Sequence, residues 1–191
     1  AKEKGLESLA DAIIKQDESI DINKYAEGFI NAEKEVNSVE DAINGALDII
    51  AENISDNPEY RKKIKKICYR EGIINTKSAK DEKSNYEMYY DFQEKVNRIP
   101  SHRILAINRG EKEEFLKVRI DKPEEKILEL IQNDIIKNNK SQYAELLNNC
   151  IQDSFTRLIE PSIDREIRAD LTEKAEEQAI SVFGKNAKQL L

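Results

Sequence analysis

Apolar residues recur with helical rhythm along most of this chain. Leu6, Leu9, Ala10, Ile13 and Ile14 share one face and predict a short helix over residues 5–16. Residues 17–37 are polar, with a second short helix expected at about 24–32. Ser38 then stands where an N-cap belongs, with Asp41 three residues on. Behind it Val39, Ala42, Ile43, Ala46, Leu47, Ile50 and Ile54 form a stripe of period 3.6, which predicts helix from 39 to 55. Asn57-Pro58 restarts the chain. Asn57 can accept from unpaired N–H groups, and Pro58 suits a first helical position. The helix from 58 to 71 should stop at Gly72.

The helical period breaks at GIINTKSAK (72–80), which reads as a short strand, and KDEKSN (80–85) is a polar loop. Two readings compete for residues 101–120. In one, Ser101 caps a helix through about Glu113 and Phe115–Ile120 follows as a strand; in the other, Arg103–Asn108 and Phe115–Ile120 form a hairpin. FLKVRI alternates as a strand does, whereas RILAIN does not, so helix then strand is preferred, with residues 73–79 as the strand's partner. A helix after Asp121-Lys122-Pro123 carries Ile127, Leu130, Ile131 and Ile135. Another starts at Ser141 and carries Tyr143, Leu147, Cys150, Ile151 and Phe155 until Pro161 kinks or ends it. The last runs from Ser162 with Ile163, Ile167, Leu171, Ala175, Ile180 and Phe183, and Gly184 lies near its end.

The fold class is therefore mainly α: a multi-helix body with a helix-turn-helix-like pair (39–55 and 58–71) and one small two-stranded β element. The chain divides into a helical region (1–72), the β element with its connecting helix (73–122) and a long-helix region (123–191).

Charge limits the functional classes. With 36% charged residues and a net charge of -7, the whole surface is no nucleic-acid footprint, although a local basic patch is compatible with it. Cys68 and Cys150 stand alone in sequence and read as reduced, buried thiols of an intracellular protein. One His cannot complete a zinc set, no spaced calcium loop is present, and no Glu precedes the His by three residues as a two-metal bundle requires. No metal and no cofactor are expected. No apolar run reaches the roughly 18 residues of a membrane span, and the amphipathic N-terminal stretch is no signal peptide.

His102 is the only imidazole. Catalysis would need a nucleophile and an orienting acid brought to it by the fold, and Ser101 beside it in sequence supplies neither. The chain reads as a non-enzyme. The basic run YRKKIKKICYR (60–70) carries more chemistry: Arg61, Lys62, Lys63, Lys65, Lys66 and Arg70 on one helix, with Ile64 and Ile67 facing inward. Arg61, Lys62, Lys65 and Lys66 are candidates for contact with phosphates, with Arg103, Arg109 and Lys112 as possible additions. The plainer reading is a solvated face balanced by Glu40, Asp41, Asp48 and Glu52. Tyr86, Tyr89, Tyr90 and Phe92 have the spacing of a helix face packed into a core, and Glu87 and Asp91 among them disfavour base stacking.

Four segments carry a family likeness: ALDIIAENISDN (46–57), YEMYYDF (86–92), IPSHRILAINRGEKE (99–113) and DREIRADLTEKAEEQAISVFGKNAKQLL (164–191). Together they resemble the bacterial Tex family of transcription accessory proteins, in the family's order. The resemblance implies a cytoplasmic protein acting in transcription, similar to eukaryotic elongation and histone-chaperone factors. In the family, such a region precedes a degenerate RNase H-like domain, a helix–hairpin–helix region and a C-terminal OB-fold RNA-binding domain. The chain is then expected to be a helical scaffold piece. RNA or DNA would be bound mostly by modules outside it, with the transcription machinery as a possible partner. The family assigns no catalytic residue to these positions. Relatives usually carry Gly where this chain has Glu114, so Glu114 is expected to take a left-handed conformation at about 1 kcal/mol.

Overall fold

The structure, a computed structural model, describes residues 5–190, with side chains through Asn186. In chain order the elements are α1 (Glu7–Lys15), α2 (Ile22–Glu27), α3 (Val39–Asp56), α4 (Pro58–Glu71), β1 (Ile73–Ser78), β2 (Asp91–Lys95), α5 (Ser101–Lys112), β3 (Leu116–Asp121), α6 (Glu124–Ile135), α7 (Gln142–Ser154) and α8 (Glu160–Leu190). The protein is mainly helical, with one small antiparallel sheet. It forms two compact units, each made of two stretches of chain: 1–62 with 124–161, and 63–123 with 162–191.

The first unit is built around α3. Ser38 caps it by accepting from Asp41 N–H at 3.1 Å, and Asp41 in turn accepts from Asn37 N–H at 3.1 Å. The stripe read from the sequence is the face that packs: Ala42, Ile43, Ala46, Ile50 and Ile54 are buried, and Ile49 and Ala51 widen it. Two side chains fasten α7 to α3, as Cys150 donates to Leu47 O (3.2 Å) and Ser154 to Ala51 O (2.7 Å). Buried Gln16 links the end of α1 to that of α6, donating to Ile135 O (2.8 Å) and accepting from Lys137 N–H (3.0 Å). The second helix lies earlier than its predicted 24–32. Asp21 starts it by accepting from Asn23 N–H and Lys24 N–H, and a 3-10 turn occupies residues 32–34.

Asn57 alone separates α3 from α4, and it accepts from Glu59 N–H (2.9 Å) and Tyr60 N–H (3.3 Å). Pro161 neither ends nor breaks the helical path. Residues 155–159 form a π turn in which Glu160 N–H reaches Phe155 O, five residues back, and α8 continues from there. Proline has no N–H for the residue four before it, so a widened turn just ahead takes up the mismatch. Gly184 does not stop α8, which runs on to Leu190.

The second unit holds the sheet, in the order β2-β1-β3. The preferred reading of residues 101–120 holds: α5 is followed by β3, and β3 pairs with β1 from Ile73↔Asp121 to Ser78↔Leu116. The hairpin alternative is excluded. The β element has three strands instead of two, because Asp91–Lys95 pairs with Ile73–Lys77. The tyrosine segment is likewise no helix face. It is a 3-10 turn at Glu87–Tyr89 leading into β2, in which Tyr89 is buried and meets the edge of Phe92 at 5.2 Å. Ser101 does not cap α5; Pro100 holds the cap position and the Ser101 hydroxyl donates to Gln178 Oε1. A Cβ at Gly110 would fall 2.5 Å from Leu116 Cδ1, so this glycine lets α5 lie close to β3. Glu114 has φ 64°, the expected left-handed conformation.

Candidate functional site

The basic helix α4 divides its cations by use. Ile64 and Ile67 are buried, as the sequence requires. Arg61 donates to Ser55 O at 3.0 Å, which closes the C-terminal turn of α3. Lys65 lies 2.8 Å from Asp170 of α8, and Tyr69 one turn on donates to the same carboxylate at 2.8 Å. Lys65 first, then Tyr69, holds the Asp170 carboxyl below the usual carboxylate range, while burial and Asp170 push the Tyr69 phenol up. Lys62 and Lys66 are exposed four residues apart, on one face of the helix.

The α5 candidates separate in the same way. Arg103 is half-buried, pairs with Glu94 at 3.3 Å and lies over the Phe92 ring at 5.3 Å. Arg109 and Lys112 are exposed. Nearby, Arg168 of α8 clasps Glu111 (2.8 Å) and Asn108 (2.9 Å), and Lys122 pairs with half-buried Asp164 at 2.9 Å. Of the seven sequence candidates, Arg61, Lys65 and Arg103 are thus engaged within the fold. The acids and carbonyl that engage them lie up to 105 residues away for Lys65 and six to nine for Arg61 and Arg103. Helical spacing alone signals none of these pairings.

His102 is exposed at the start of α5, on a groove of about 490 Å³ whose walls include Pro100, Leu105, Val182 and Phe183. Ser101, its neighbour, spends its hydroxyl on Gln178. A second groove of about 360 Å³ lies beside it, bordered by Tyr69, Asn97, Asp170 and Lys174. Both cysteines are free and buried, and burial pushes the Cys150 thiol up to about 12, where it stays protonated at neutral pH. Among the described residues no group of three or more His, Cys, Asp or Glu could hold a metal ion, and no helix is long and apolar enough to cross a membrane.

The sheet brings together residues that sequence reasoning did not group. Its inner face buries Ile74, Thr76, Leu116 and Ile120. Directly paired residues point the same way, so the other face carries Asp91, Lys77 and Lys117 in one row, Gln93, Asn75 and Arg119 in the next, and Lys95, Ile73 and Asp121 in the third. Alternation in LKVRID hinted at a polar face, but the rows exist only through pairing.

A family model described as Tex central region-like matches residues 17–183. Over its full length the chain is 46% identical to the uncharacterized protein YdcI of Bacillus subtilis, of which it covers 27%. It is 28% identical to Protein tex of Bordetella pertussis, covering 26% of that protein, and 30% identical to the human S1 RNA-binding domain-containing protein 1, covering 20%. The chain thus spans no more than 27% of the length of these relatives. Its helices, its small sheet and the segments that first suggested the likeness all fall within or alongside the matched region, and the chain belongs to the Tex central region family.

Proposed function

We propose that this chain is a non-catalytic helical framework within a transcription accessory protein of the Tex type, holding nucleic-acid-binding modules of that protein at fixed geometry. One observation carries the reading: several charged side chains able to face a substrate are spent on joining elements. Lys65 and Tyr69 meet on Asp170, Arg168 clasps Glu111 and Asn108, and Arg103 meets Glu94. Such pairs favour one arrangement of rigid elements over others. A relative named transcriptional accessory protein Tex, from Neisseria gonorrhoeae, and the relative named for an S1 RNA-binding domain support the transcriptional and nucleic-acid context.

The test is a chimera in which this chain replaces the corresponding region of the Bordetella pertussis Protein tex. A framework role predicts that the chimera keeps the parent's RNA affinity, and that Ile167→Asp, which places a charge in the core, removes it. A folded chimera that has lost RNA affinity would sink the reading. So would turnover of RNA, DNA or a phosphoester by the chain that disappears in His102→Ala.

A second reading gives α4 a direct contact with phosphates, supported by the exposed pair Lys62 and Lys66. The single residue between α3 and α4 is shorter than the three- or four-residue turn of a helix-turn-helix. Any contact would therefore run along the helix flank, as a sequence-independent one does.

A further inference from the structure

We infer that the open face of the three-stranded sheet is a docking surface for the phosphate backbone of a nucleic-acid single strand. The face has four cations (Lys77, Lys95, Lys117 and Arg119) against two carboxylates (Asp91 and Asp121), a surplus of two in a chain whose net charge is -7. Local charge here has the opposite sign to that of the whole protein.

The layout is directional. Asp91 and Asp121 occupy two opposite corners of the three-by-three array, and each is already met by a cation: Lys77 at 2.5 Å from Asp91, Arg119 at 3.1 Å from Asp121. Lys117 and Lys95 occupy the other two corners, both exposed, with no ion pair among the described residues. A band of positive and amide-bearing positions therefore crosses the sheet diagonally from Lys117, Lys77 and Arg119, through Asn75 and Gln93, to Lys95. Two residues along a strand advance about 7 Å and neighbouring strands lie about 4.8 Å apart, so the band is about 17 Å long. That length accommodates a few nucleotides of a single strand.

Charge complementarity selects the partner. A polyanion can trade its counterions for these lysines and gain affinity with no base-specific contact. No aromatic side chain occupies the face, so base stacking contributes nothing and the affinity comes from phosphates. Asn75 donates to Asp121 Oδ2 at 3.0 Å, and the exposed Gln93 amide beside it can donate to phosphate or sugar oxygens as the strand passes. This site lies on the sheet, apart from the α4 cations of the second reading, and does not rest on the framework role.

Anisotropy of a labelled 12-nucleotide uridine RNA, titrated with the chain, tests it. Binding is expected at 50 mM salt, with a slope of log affinity on log salt of about -2 to -3, for three to four phosphate contacts. Lys95→Glu with Lys117→Glu should weaken it at least about tenfold, because both neutralisation and repulsion act. Lys95→Arg with Lys117→Arg should retain it, and Lys24→Glu with Lys140→Glu, at exposed positions of the first unit, should leave it unchanged, whereas a loss only in Lys62→Glu with Lys66→Glu would place the contact on α4. Circular dichroism checks that each variant keeps its helix content. Three results would overturn the inference: no RNA binding at 50 mM salt, a loss confined to the α4 variant, or equal binding of a polyglutamate peptide, which would assign the face to an acidic protein. None of these bears on the chimera's RNA affinity, so the two readings fail separately.

Discussion

The two compact units of this chain both bury an aliphatic core, and they differ in the polar contacts laid over it. In the first, α3 and its neighbours bury aliphatic and aromatic side chains, and its polar contacts are short fastenings such as Ser154 to Ala51 O. In the second, charged pairs join α8 to α4 (Lys65–Asp170), to α5 (Arg168–Glu111) and to the end of β3 (Lys122–Asp164). Apolar burial has no direction and little pH dependence, whereas ion pairs specify geometry and add little stability when exposed. The second unit buries its own aliphatic core, with Ile64, Ile74, Ile107, Ile120 and Ile167 inside, and adds charged pairs that define how its elements meet.

The largest effect should come from the first unit. Phe155 is fully buried in the π turn. Phe155→Ala removes its transfer energy and leaves a cavity, so stability should fall by about 3–5 kcal/mol. The urea midpoint at unchanged slope reads this directly. A loss below about 1 kcal/mol would show that the surroundings collapse into the space, and the contrast between the units would weaken.

This contrast also explains what the sequence disclosed. The α3 stripe, the Ser38 and Asn57 caps and the alternation of FLKVRI each depend on neighbours within a few residues, so spacing revealed them. The left-handed Glu114 was expected from the family resemblance and not from spacing. The third strand was not, because Asp91–Lys95 is short, carries three charges and gains its identity only by pairing with β1. Lys65 looked like a ligand for phosphate because its partner Asp170 is remote in sequence. The cation band on the sheet was invisible for the same reason, since its members come from three separated strands.

A smaller change would sharpen the comparison from the side of the second unit. Glu114 holds φ 64° just past α5, and its side chain is exposed. A non-glycine residue there costs about 1 kcal/mol. Glu114→Gly should raise stability by about 0.5–1 kcal/mol, part of the relief being offset by the greater freedom of glycine in the unfolded chain. A thermal midpoint that stays or falls would mean the strain is relieved within the native loop. The definition this unit shows would then owe nothing to a strained turn.

The smallest effect is the one that separates the two kinds of cohesion. Asp170 accepts from Tyr69 and pairs with Lys65, and its folded pKa is depressed. A depressed carboxyl stabilises the fold above its unfolded value, near 3.9, and loses that contribution as pH falls through the folded one. Because the Asp170 side chain is 45% exposed, Asp170→Asn should cost at most about 1 kcal/mol at pH 7. The gap between the two proteins should close as pH drops below about 4. Asp164 shifts the opposite way, since burial outweighs Lys122, so the acid profile of the unmodified chain mixes both signs and only the variant difference isolates Asp170. Urea midpoints of both proteins from pH 7 to pH 3 measure it. A gap that persists at pH 3 would mean Asp170 acts through shape and not charge, whereas the Phe155→Ala penalty should hold constant across the same range.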